Sequence, residues 1–365
     1  MKTLPNSVSE KTMVIVSITT MVVLLAIYSC TNNSGQRSDV TRQIVDSVGF
    51  AKYAWQMDSI VSRMDYSAGM ENRWRLAIVP HDDYTYVGDL YPAVLNGVKA
   101  PTVILIGVAH KARDMGLEDK IVFDSYDSWS APYGPVRVSG LRETLISKLT
   151  DNLYIVNDSM HGIEHSLESL VPFLQYNNRS VEIIPVLVPP MTFERMNQIA
   201  GPFAEAMASV MTEKGLEWGK DVAIVVTTDA VHYGDEEWGG RNYAPFGTDS
   251  TGLTRARSLE MEIIDSCLKG EVEPARIERF VNYTVQESDH REYKWTWCGR
   301  YSVPFGLLMS FELNRRTGLT GLSGTFIGYA NSIDHPHLKV DDLGMGTTAP
   351  AYNRHWVGYA AIGYK

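Results

Sequence analysis

Short apolar runs alternate along the chain with longer segments whose apolar positions recur at helical spacing. The runs predict strands near Leu76–Val79, Val103–Ile106, Val181–Val188 and Val222–Thr227, and two further runs, Gly324–Tyr329 and Val357–Tyr364, end the chain. The longer segments predict helices near Tyr91–Val98, Leu141–Leu149, Phe193–Met211, Thr251–Leu268 and Tyr301–Leu313. The central strand cores are continuously apolar, which is typical of strands covered on both faces. The alternation therefore predicts an α/β fold with a mostly parallel central sheet and helices on both faces.

The first thirty residues carry a different pattern. Lys2 and Lys11 precede the apolar stretch Met13–Tyr28, which ends at Ser29-Cys30. Sixteen helical residues span about 24 Å, less than the roughly 30 Å of a bilayer core, so an export signal is favoured over a permanent span. A small residue directly before a cysteine resembles the bacterial lipoprotein signal. Removal of residues 1–29 would then leave a lipid on Cys30, anchoring the protein to a membrane of the bacterial cell envelope. An uncleaved signal anchor and other processing remain open.

The rest of the chain predicts one domain. Polar residues 31–39 (TNNSGQRSD) bury nothing, so residues 30–49 are interpreted as a flexible tether. No linker rich in proline, glycine or serine divides the chain after Gly49. Residues 50–365 are therefore expected to form a single α/β domain.

Composition and charge exclude several functional classes. The 365 residues are 44% hydrophobic, which excludes a disordered chain. A formal net charge of −10, with no basic run, makes nucleic acid an unexpected partner. The sequence contains no GxGxxG, P-loop or GxSxG motif, so dinucleotide enzymes, phosphate-loop enzymes and nucleophile-elbow hydrolases lack their minimum parts.

Histidines follow three of the predicted strands. His81 comes after LAIV, His110 after VILIGVA and His232 after AIVVTT. Ligands of open α/β sheets bind at the carboxyl ends of strands, and imidazole is the commonest protein metal ligand. Asp229 precedes His232 by three residues, a spacing at which its carboxylate could orient the ring. The pattern indicates a metal or acid–base site, although polar turn residues remain the alternative.

Other chemistry-bearing residues are less specific. His165 and Glu168 are expected to lie close together on the first turn of a helix. Cys267 continues an apolar helical row and is expected to be buried, whereas Cys298 lies beside Arg300, which would favour a thiolate. Cys298 could be a metal thiolate or form a disulfide with Cys267. The remaining histidines are interpreted as surface residues: His161, His290, His335, His337 and His355.

Seven motifs in order resemble the Memo family, whose bacterial members are called AmmeMemoRadiSam system protein B. The resemblance covers roughly residues 70–364. The motifs are Pro80-His81-x-x-Tyr84-Thr85-Tyr86-x-Gly88, Gly107-x-x-His110, Glu164-His165-Ser166-Leu167-Glu168-x-x-x-Pro172, Ile184-Pro185-Val186-Leu187-Val188, Thr228-Asp229-x-x-His232-Tyr233-Gly234, Cys298-Gly299-Arg300 and Gly328-Tyr329-Ala330.

The resemblance implies a fold and a site. The family shares its fold with class III extradiol dioxygenases, which hold non-haem Fe(II) through two histidines and a carboxylate. By position, His81, His110 and Cys298 are implied as metal ligands, with iron or copper as the metal. The thiolate would shift the preference towards softer ions such as copper. His232, with Asp229 beside it, is implied as the acid–base pair.

The resemblance also gives expectations about the residues near the metal ligands and about the activity. Residues expected near the ligands are His165, Glu168, Tyr84 and Arg300. Asp82 and Asp83 stand where the family usually has Ala-Gly and add two acidic groups beside the site. The expected function is a metal-dependent, dioxygenase-like redox protein. The alternative is a non-enzymatic module that holds a peptide, a small molecule or metal in the same cleft.

Overall fold

The computed structural model describes residues 39–319, 321–334 and 336–365, and these contain one large mixed sheet. Its strands are β1 (Thr41–Arg42), β2 (Leu76–Val79), β3 (Thr102–Val108), β4 (Ile121–Phe123), β5 (Ser128–Trp129), β6 (Val136–Val138), β7 (Tyr154–Val156), β8 (Glu182–Val188), β9 (Val222–Thr227), β10 (His232–Gly234), β11 (Gly270–Glu271), β12 (Ser323–Asn331) and β13 (His355–Tyr364). The main path runs β1-β5-β6-β8-β3-β9-β2-β13-β12-β11. The centre, β6-β8-β3-β9-β2, is parallel, and β13 joins β2 antiparallel.

Helices cover both faces of the sheet. They are α1 (Ala54–Ser62), α2 (Tyr84–Val87), α3 (Leu90–Leu95), α4 (Leu141–Ile146), α5 (Asp158–His161), α6 (Val171–Asn177), α7 (Phe193–Lys214), α8 (Ser250–Ile263), α9 (Pro274–Thr284) and α10 (Ser302–Thr317). Successive side chains of a strand point to opposite faces of the sheet, so β3 contributes side chains to two hydrophobic cores, one on each face. Ile104 and Ile106 pack in the core that holds Phe203 and Phe305 of α7 and α10. Val103 and Leu105 pack in the other core, with α1, α3 and α6.

The predicted fold class is confirmed. Strands β2 and β9 have the predicted bounds, and β3 extends two residues beyond its predicted end, to Val108. The helix predicted to reach Leu268 ends as an α-helix at Ile263 and continues as a π-helical turn over Ile264–Leu268. Helices α1 and α9 were not predicted, because polar residues interrupt their apolar positions.

The N-terminal segment, residues 41–50, packs on the domain. The Arg42 side chain is buried, donates to the Glu168 carboxylate at 2.8 Å and stacks over Trp129 at 4.1 Å from the ring centroid. The backbone N–H groups of Val45 and Asp46 also donate to Glu168. The interpretation of residues 30–49 as a flexible tether is therefore wrong from Thr41 onward, because a buried ion pair fixes that part.

The predicted signal sequence (residues 1–29) and residues 30–38 of the tether, which include Cys30, lie outside the described residues. Residues 41–365 form one compact unit. No helix within the described ranges combines the length and apolar character that a membrane span requires.

Candidate metal centre

Three imidazoles meet where β2 and β3 end. The ring centroids of His81 and His110 are 5.4 Å apart, and His165 stacks on His110 at 4.9 Å with an interplanar angle of 10°. One potential ligand atom from each of the three lies within 4.8 Å of the others. His165 was expected only as a neighbour of the ligands, but the structure places it where it could itself bind an ion.

A second group of potential ligands shares His81. Its Nε2 lies 3.4 Å from the Cys298 Sγ and 3.4 Å from an Asp229 carboxylate oxygen. Potential ligand atoms of these three residues also lie within 4.8 Å of one another. The predicted set of His81, His110 and Cys298 is thus divided between two groups that have His81 in common.

The two groups line two adjacent cavities, both bordered by His110 and His232. A cavity of about 450 Å³ is lined by His81, His110, His165, Asp229 and His232. A neighbouring cavity of about 300 Å³ is lined by Cys298, together with His110 and His232. The larger volume lies within the range of small-molecule sites, about 300–1,000 Å³. Every residue predicted as a metal ligand or acid–base group therefore borders this region.

Asp229 orients His81 rather than His232. Its carboxylate accepts a hydrogen bond from the His81 backbone N–H at 2.9 Å. The Nδ1 of His232 instead lies 3.1 Å from the Thr296 carbonyl. The predicted Asp229–His232 contact is therefore wrong, because the Asp229 carboxylate binds the His81 backbone and the His232 Nδ1 faces the Thr296 carbonyl.

The Glu164 carboxylate contacts both the backbone N–H and the ring of His110, a role that was not predicted from the sequence. One carboxylate oxygen accepts the His110 backbone N–H at 2.7 Å, and the other lies 2.9 Å from its Nδ1. The backbone N–H groups of His165 and Ser166 also donate to this carboxylate. Burial would raise the pKa of Glu164, but the His110 and His165 imidazoles and the Ser166 backbone hydrogen bond together outweigh burial and hold the pKa below its ordinary value. With Nδ1 donating to Glu164, His110 presents Nε2 as its free ligand atom.

Replacing Glu164 with glutamine is expected to weaken metal binding about 10–100-fold, because the amide no longer fixes the ring and tautomer of His110. Chelator competition measures the change. Glu182→Gln, on a carboxylate at the start of β8 near Arg137, is the matched control and should leave affinity unchanged. Equal affinities for both variants would contradict this role of Glu164.

Cys298 is a buried free thiol. It forms no disulfide with Cys267, so that alternative is not realised. Its sulfur accepts the Asp229 backbone N–H at 3.1 Å. The close approach depends on Gly299, because a Cβ there would lie 2.3 Å from the Thr228 Cβ.

Arg300 does not produce the predicted thiolate in the metal-free protein. Burial raises the pKa of the Cys298 thiol well above its ordinary value, and the Asp229 carboxylate adds to the rise. Arg300 lowers this pKa by less than burial and Asp229 raise it; its guanidinium stacks over Tyr293 and donates to the Arg291 carbonyl. A cation bound beside the sulfur would favour the thiolate.

The surroundings of His232 fix the tautomer of its ring and lower its pKa. Its Nδ1 donates to the Thr296 carbonyl, which makes Nε2 the basic atom of the neutral ring. Burial lowers the pKa of His232 to about 4. The ring is therefore neutral at pH 7 and can accept a proton.

The pH dependence of stability should reflect this lowered pKa. Between about pH 4 and the ordinary histidine pKa of 6.5, the unfolded chain binds a proton at His232 that the folded chain does not. His232 therefore makes the free energy of unfolding fall as the pH falls through this window. In urea unfolding of metal-free protein, His232→Gln should lose less stability than wild type between about pH 6.5 and pH 4. Parallel pH profiles would contradict the lowered pKa.

Glu168 and Tyr84 were predicted beside the metal ligands, but their side chains contact the N-terminal segment instead. The Glu168 side chain binds Arg42, and only its backbone N–H contacts the His165 carbonyl. His165 and Glu168 were expected close together on a first helical turn; this backbone hydrogen bond does bring them together, but regular helix begins only at Glu168. Tyr84 donates to the Ser169 carbonyl and packs against Phe50. It is buried in the core and does not line the cavity.

Two histidines interpreted as surface residues are buried. His161 is 0% exposed, and its Nε2 lies 3.0 Å from the Val122 carbonyl. His355 is 3% exposed and lines the larger cavity, stacked 3.9 Å from the Trp238 ring. The residues around both histidines suggested loops. In the structure His161 is the last residue of a short helix and His355 is the first residue of β13. His335 lies outside the described residues.

A buried carboxylate joins the segments that carry His232 and Cys298. Glu260 of α8 is 0% exposed and accepts hydrogen bonds from the indole N–H groups of Trp295 (2.5 Å) and Trp297 (2.7 Å). It also accepts the Val231 backbone N–H at 3.0 Å. Burial raises the pKa of Glu260 to about 7. Sequence reasoning missed this residue; a glutamate at a buried position of an amphipathic helix was the available signal.

The fold and the site together define an α/β protein with a candidate metal cavity at the carboxyl edge of its parallel strands. The sequence profile of the family described as Memo-like protein matches residues 51–345. The chain therefore belongs to the Memo family.

Relatives named MEMO1 family protein support this membership. The relative from Aquifex aeolicus is 31% identical over 50% of this chain and 64% of its own length. Those from Thermococcus kodakarensis and Pyrococcus furiosus are 27% and 26% identical, each over 66% of this chain and 77% and 76% of their own lengths.

Proposed function

We propose that this protein binds one redox-active metal ion, Fe(II) or copper, through His81, His110 and Cys298, and catalyses a dioxygenase-like oxidation of a small molecule. The observation that carries the proposal is the position of His81 between the two ligand groups, 3.4 Å from Cys298 and beside His110. Asp229 and Cys298 are acids held in a buried site, and burial raises the pKa of both. A cation would stabilise their ionised forms, so these donors fit a metal.

The donor types indicate which metals suit the site. Two imidazoles with a carboxylate are typical of non-haem Fe(II), and a thiolate adds preference for copper. When bound, such a metal would supply activation of O₂ and of the substrate. The protein would orient His81 through Asp229 and His110 through Glu164. His232 Nε2 would take a proton from the substrate and return it to the product.

Cys298 also favours a second function, a module that binds metal or a ligand without turnover. A thiol beside activated oxygen is readily oxidised, which suits a binding role better than repeated turnover. A peptide or small molecule would then occupy the same cavity.

Metal analysis combined with oxygen uptake separates the two functions. After anaerobic loading, we expect about one Fe or Cu per chain, and His81→Ala should remove it. With catechol, O₂ uptake should be at least about 100-fold slower in His232→Ala, while its metal content stays unchanged. Binding without O₂ uptake in wild type would favour the module. A wild-type chain that stays metal-free after loading would contradict both metal-dependent forms.

We also propose that the mature protein is a lipoprotein of the bacterial cell envelope, attached to a membrane through Cys30. Support comes from the apolar stretch Met13–Tyr28 and the small residue before Cys30. Growth with radiolabelled palmitate should label the wild-type protein, and Cys30→Ser should remove the label. Labelling of both proteins, or of neither, would contradict the anchor.

A further inference from the structure

The Trp238 side chain lines both cavities of the candidate metal centre. Its Nε1 is buried and has no hydrogen-bond partner in the described part of the chain. An indole nitrogen can only donate a hydrogen bond, so the group that satisfies it must be an acceptor. A buried donor without an acceptor is costly. The unpaired N–H of Trp238 therefore points to a ligand that brings an acceptor into the site.

Two other tryptophans show why the position of this donor matters. Trp74 and Trp356 also carry buried indole N–H groups without partners, but they line neither cavity. Both are fully buried among apolar side chains of the two cores. Trp238 is less enclosed, and of these three rings it is the one that borders space large enough for a ligand.

Neighbouring rings of the site hold Trp238 in place. Its ring stacks on His355 with centroids 3.9 Å apart and an interplanar angle of 17°. It also meets the His232 ring edge to face, with centroids 5.4 Å apart. His355 is fixed in turn, because its Nδ1 lies 2.8 Å from the Pro350 carbonyl. The indole is therefore positioned directly beside the proposed acid–base group, His232.

The loop that carries Trp238, between β10 and α8, has a strained backbone. Its φ angles are positive at Glu237 (60°), Gly239 (63°) and Gly240 (80°). Left-handed backbone at a residue other than glycine is unfavourable, and such strain is concentrated at functional sites. Glu237 also lines the smaller cavity. The strained residue and the unpaired donor therefore border the same cavity.

The charges around the cavities indicate which acceptor fits. Among the described residues, no lysine or arginine lines either cavity. Arg300 stacks over Tyr293. Arg241 lies 3.5 Å from the Tyr243 hydroxyl, and its charge is paired with Glu292. A carboxylate beside the indole would be buried without a compensating cation, which is costly, whereas an uncharged oxygen can accept the N–H without that cost.

We propose that Trp238 is a specificity-determining residue whose Nε1 donates a hydrogen bond to an uncharged carbonyl oxygen of the substrate. Another part of the same substrate faces His81 and His110. The substrate class is therefore a small ketone, ester or amide rather than a free acid. This inference names the substrate class of the proposed metal site, and it rests on the proposed function for the end of the substrate that faces the metal.

Three catechols of similar shape test the inference. Their side chains carry an uncharged carbonyl (3,4-dihydroxyphenylacetone), no acceptor (4-isobutylcatechol) or an anion (3,4-dihydroxyphenylacetate). Each is titrated calorimetrically into protein loaded with redox-inert Zn²⁺, and the association constant of the ketone is divided by that of 4-isobutylcatechol. Trp238→Phe should lower this ratio about threefold to tenfold, because phenylalanine keeps an aromatic ring and loses the donor. A purely structural role would weaken both ligands equally, and the resulting unchanged ratio would overturn the inference.

A matched substitution and the anionic ligand complete the test. Trp55→Phe removes an indole N–H from an exposed ring and should leave the ratio at its wild-type value. The ketone should bind wild-type protein more tightly than 3,4-dihydroxyphenylacetate does. Tightest binding of the anion would overturn the assignment of an uncharged substrate.

A measurement on the unaltered protein decides the inference if Trp238→Phe does not fold. The chain has eight tryptophans, so ¹⁵N-labelled zinc protein has eight indole N–H groups to follow by NMR. A new hydrogen bond to a carbonyl oxygen moves the resonance of an indole proton downfield. One indole resonance should move downfield with the ketone and stay in place with 4-isobutylcatechol. The same shifts with both ligands would overturn the inference.

The design separates this inference from the proposed function. Zinc binding with the same ratio in wild type and Trp238→Phe would overturn the inference alone. If the chain binds no zinc, the proposed function fails, and phenylacetone against phenylacetate on metal-free protein decides the inference. Phenylacetone should then bind more tightly and lose its advantage in Trp238→Phe. Equal or absent binding of the two compounds would overturn the inference.

Discussion

Replacing Arg42 with methionine is expected to lower the free energy of unfolding by about 3–5 kcal/mol. Arg42 is 1% exposed and donates to the Glu168 carboxylate, to the His161 carbonyl and to the Glu164 carbonyl. Without the guanidinium, Glu168 keeps a buried charge with only backbone donors from the N-terminal segment. Urea unfolding of the metal-free protein measures the loss.

An exposed arginine provides the control for this prediction. Arg63 pairs with Asp342 at 2.8 Å, but both side chains contact water, so Arg63→Met should change stability little. Adding Glu168→Met to Arg42→Met should recover part of the loss, because the uncompensated charge disappears with it. An Arg42→Met variant as stable as Arg63→Met would show that the N-terminal segment contributes little to the fold.

Replacing Glu260 with methionine should lower the free energy of unfolding by about 3–5 kcal/mol and weaken metal binding about tenfold or more. Methionine has a similar shape but leaves two indole N–H groups and one backbone N–H buried without an acceptor. Metal binding suffers because Glu260 holds Val231 beside Trp297, next to His232 and Cys298. Urea unfolding and chelator competition measure the two effects.

The control and the graded variant make this prediction specific. Glu213→Met removes an exposed carboxylate that pairs with Lys148 and should alter neither measurement appreciably. Glu260→Gln should be intermediate, since its amide oxygen still accepts from the indoles while its NH₂ group faces the Val231 N–H. Loss of stability with full metal affinity would mean that Glu260 supports the core without positioning the site.

The sequence predicted the parts of this fold that depend on local pattern. Continuous apolar runs locate β2, β3, β8 and β9, and parallel strands bring their carboxyl ends to one edge. That rule alone places His81, His110 and His232 near one another. Cys298 does not follow such a strand, and its place at the same site was predicted only through the resemblance to the Memo family.

The contacts that the sequence missed join residues far apart in the chain. Arg42 and Glu168 are 126 residues apart, and Glu260 and Trp297 are 37 apart. No local periodicity pairs such residues. The prediction for Asp229 failed for a related reason. Its spacing to His232 suggested a local contact, but its carboxylate binds the His81 backbone, 148 residues away in the chain. His355 lies in a polar stretch, and its burial depends on Trp238 packing against it.

Titration of the anaerobic, metal-free protein with Co(II) tests the central claim most directly. If His81, His110 and Cys298 hold one ion, absorbance should saturate at about one equivalent and include a thiolate-to-cobalt charge-transfer band. Cys298→Ser should lose that band while retaining cobalt, and His81→Ala should lose both. Cobalt binding without the band, or a band that survives Cys298→Ser, would contradict the account.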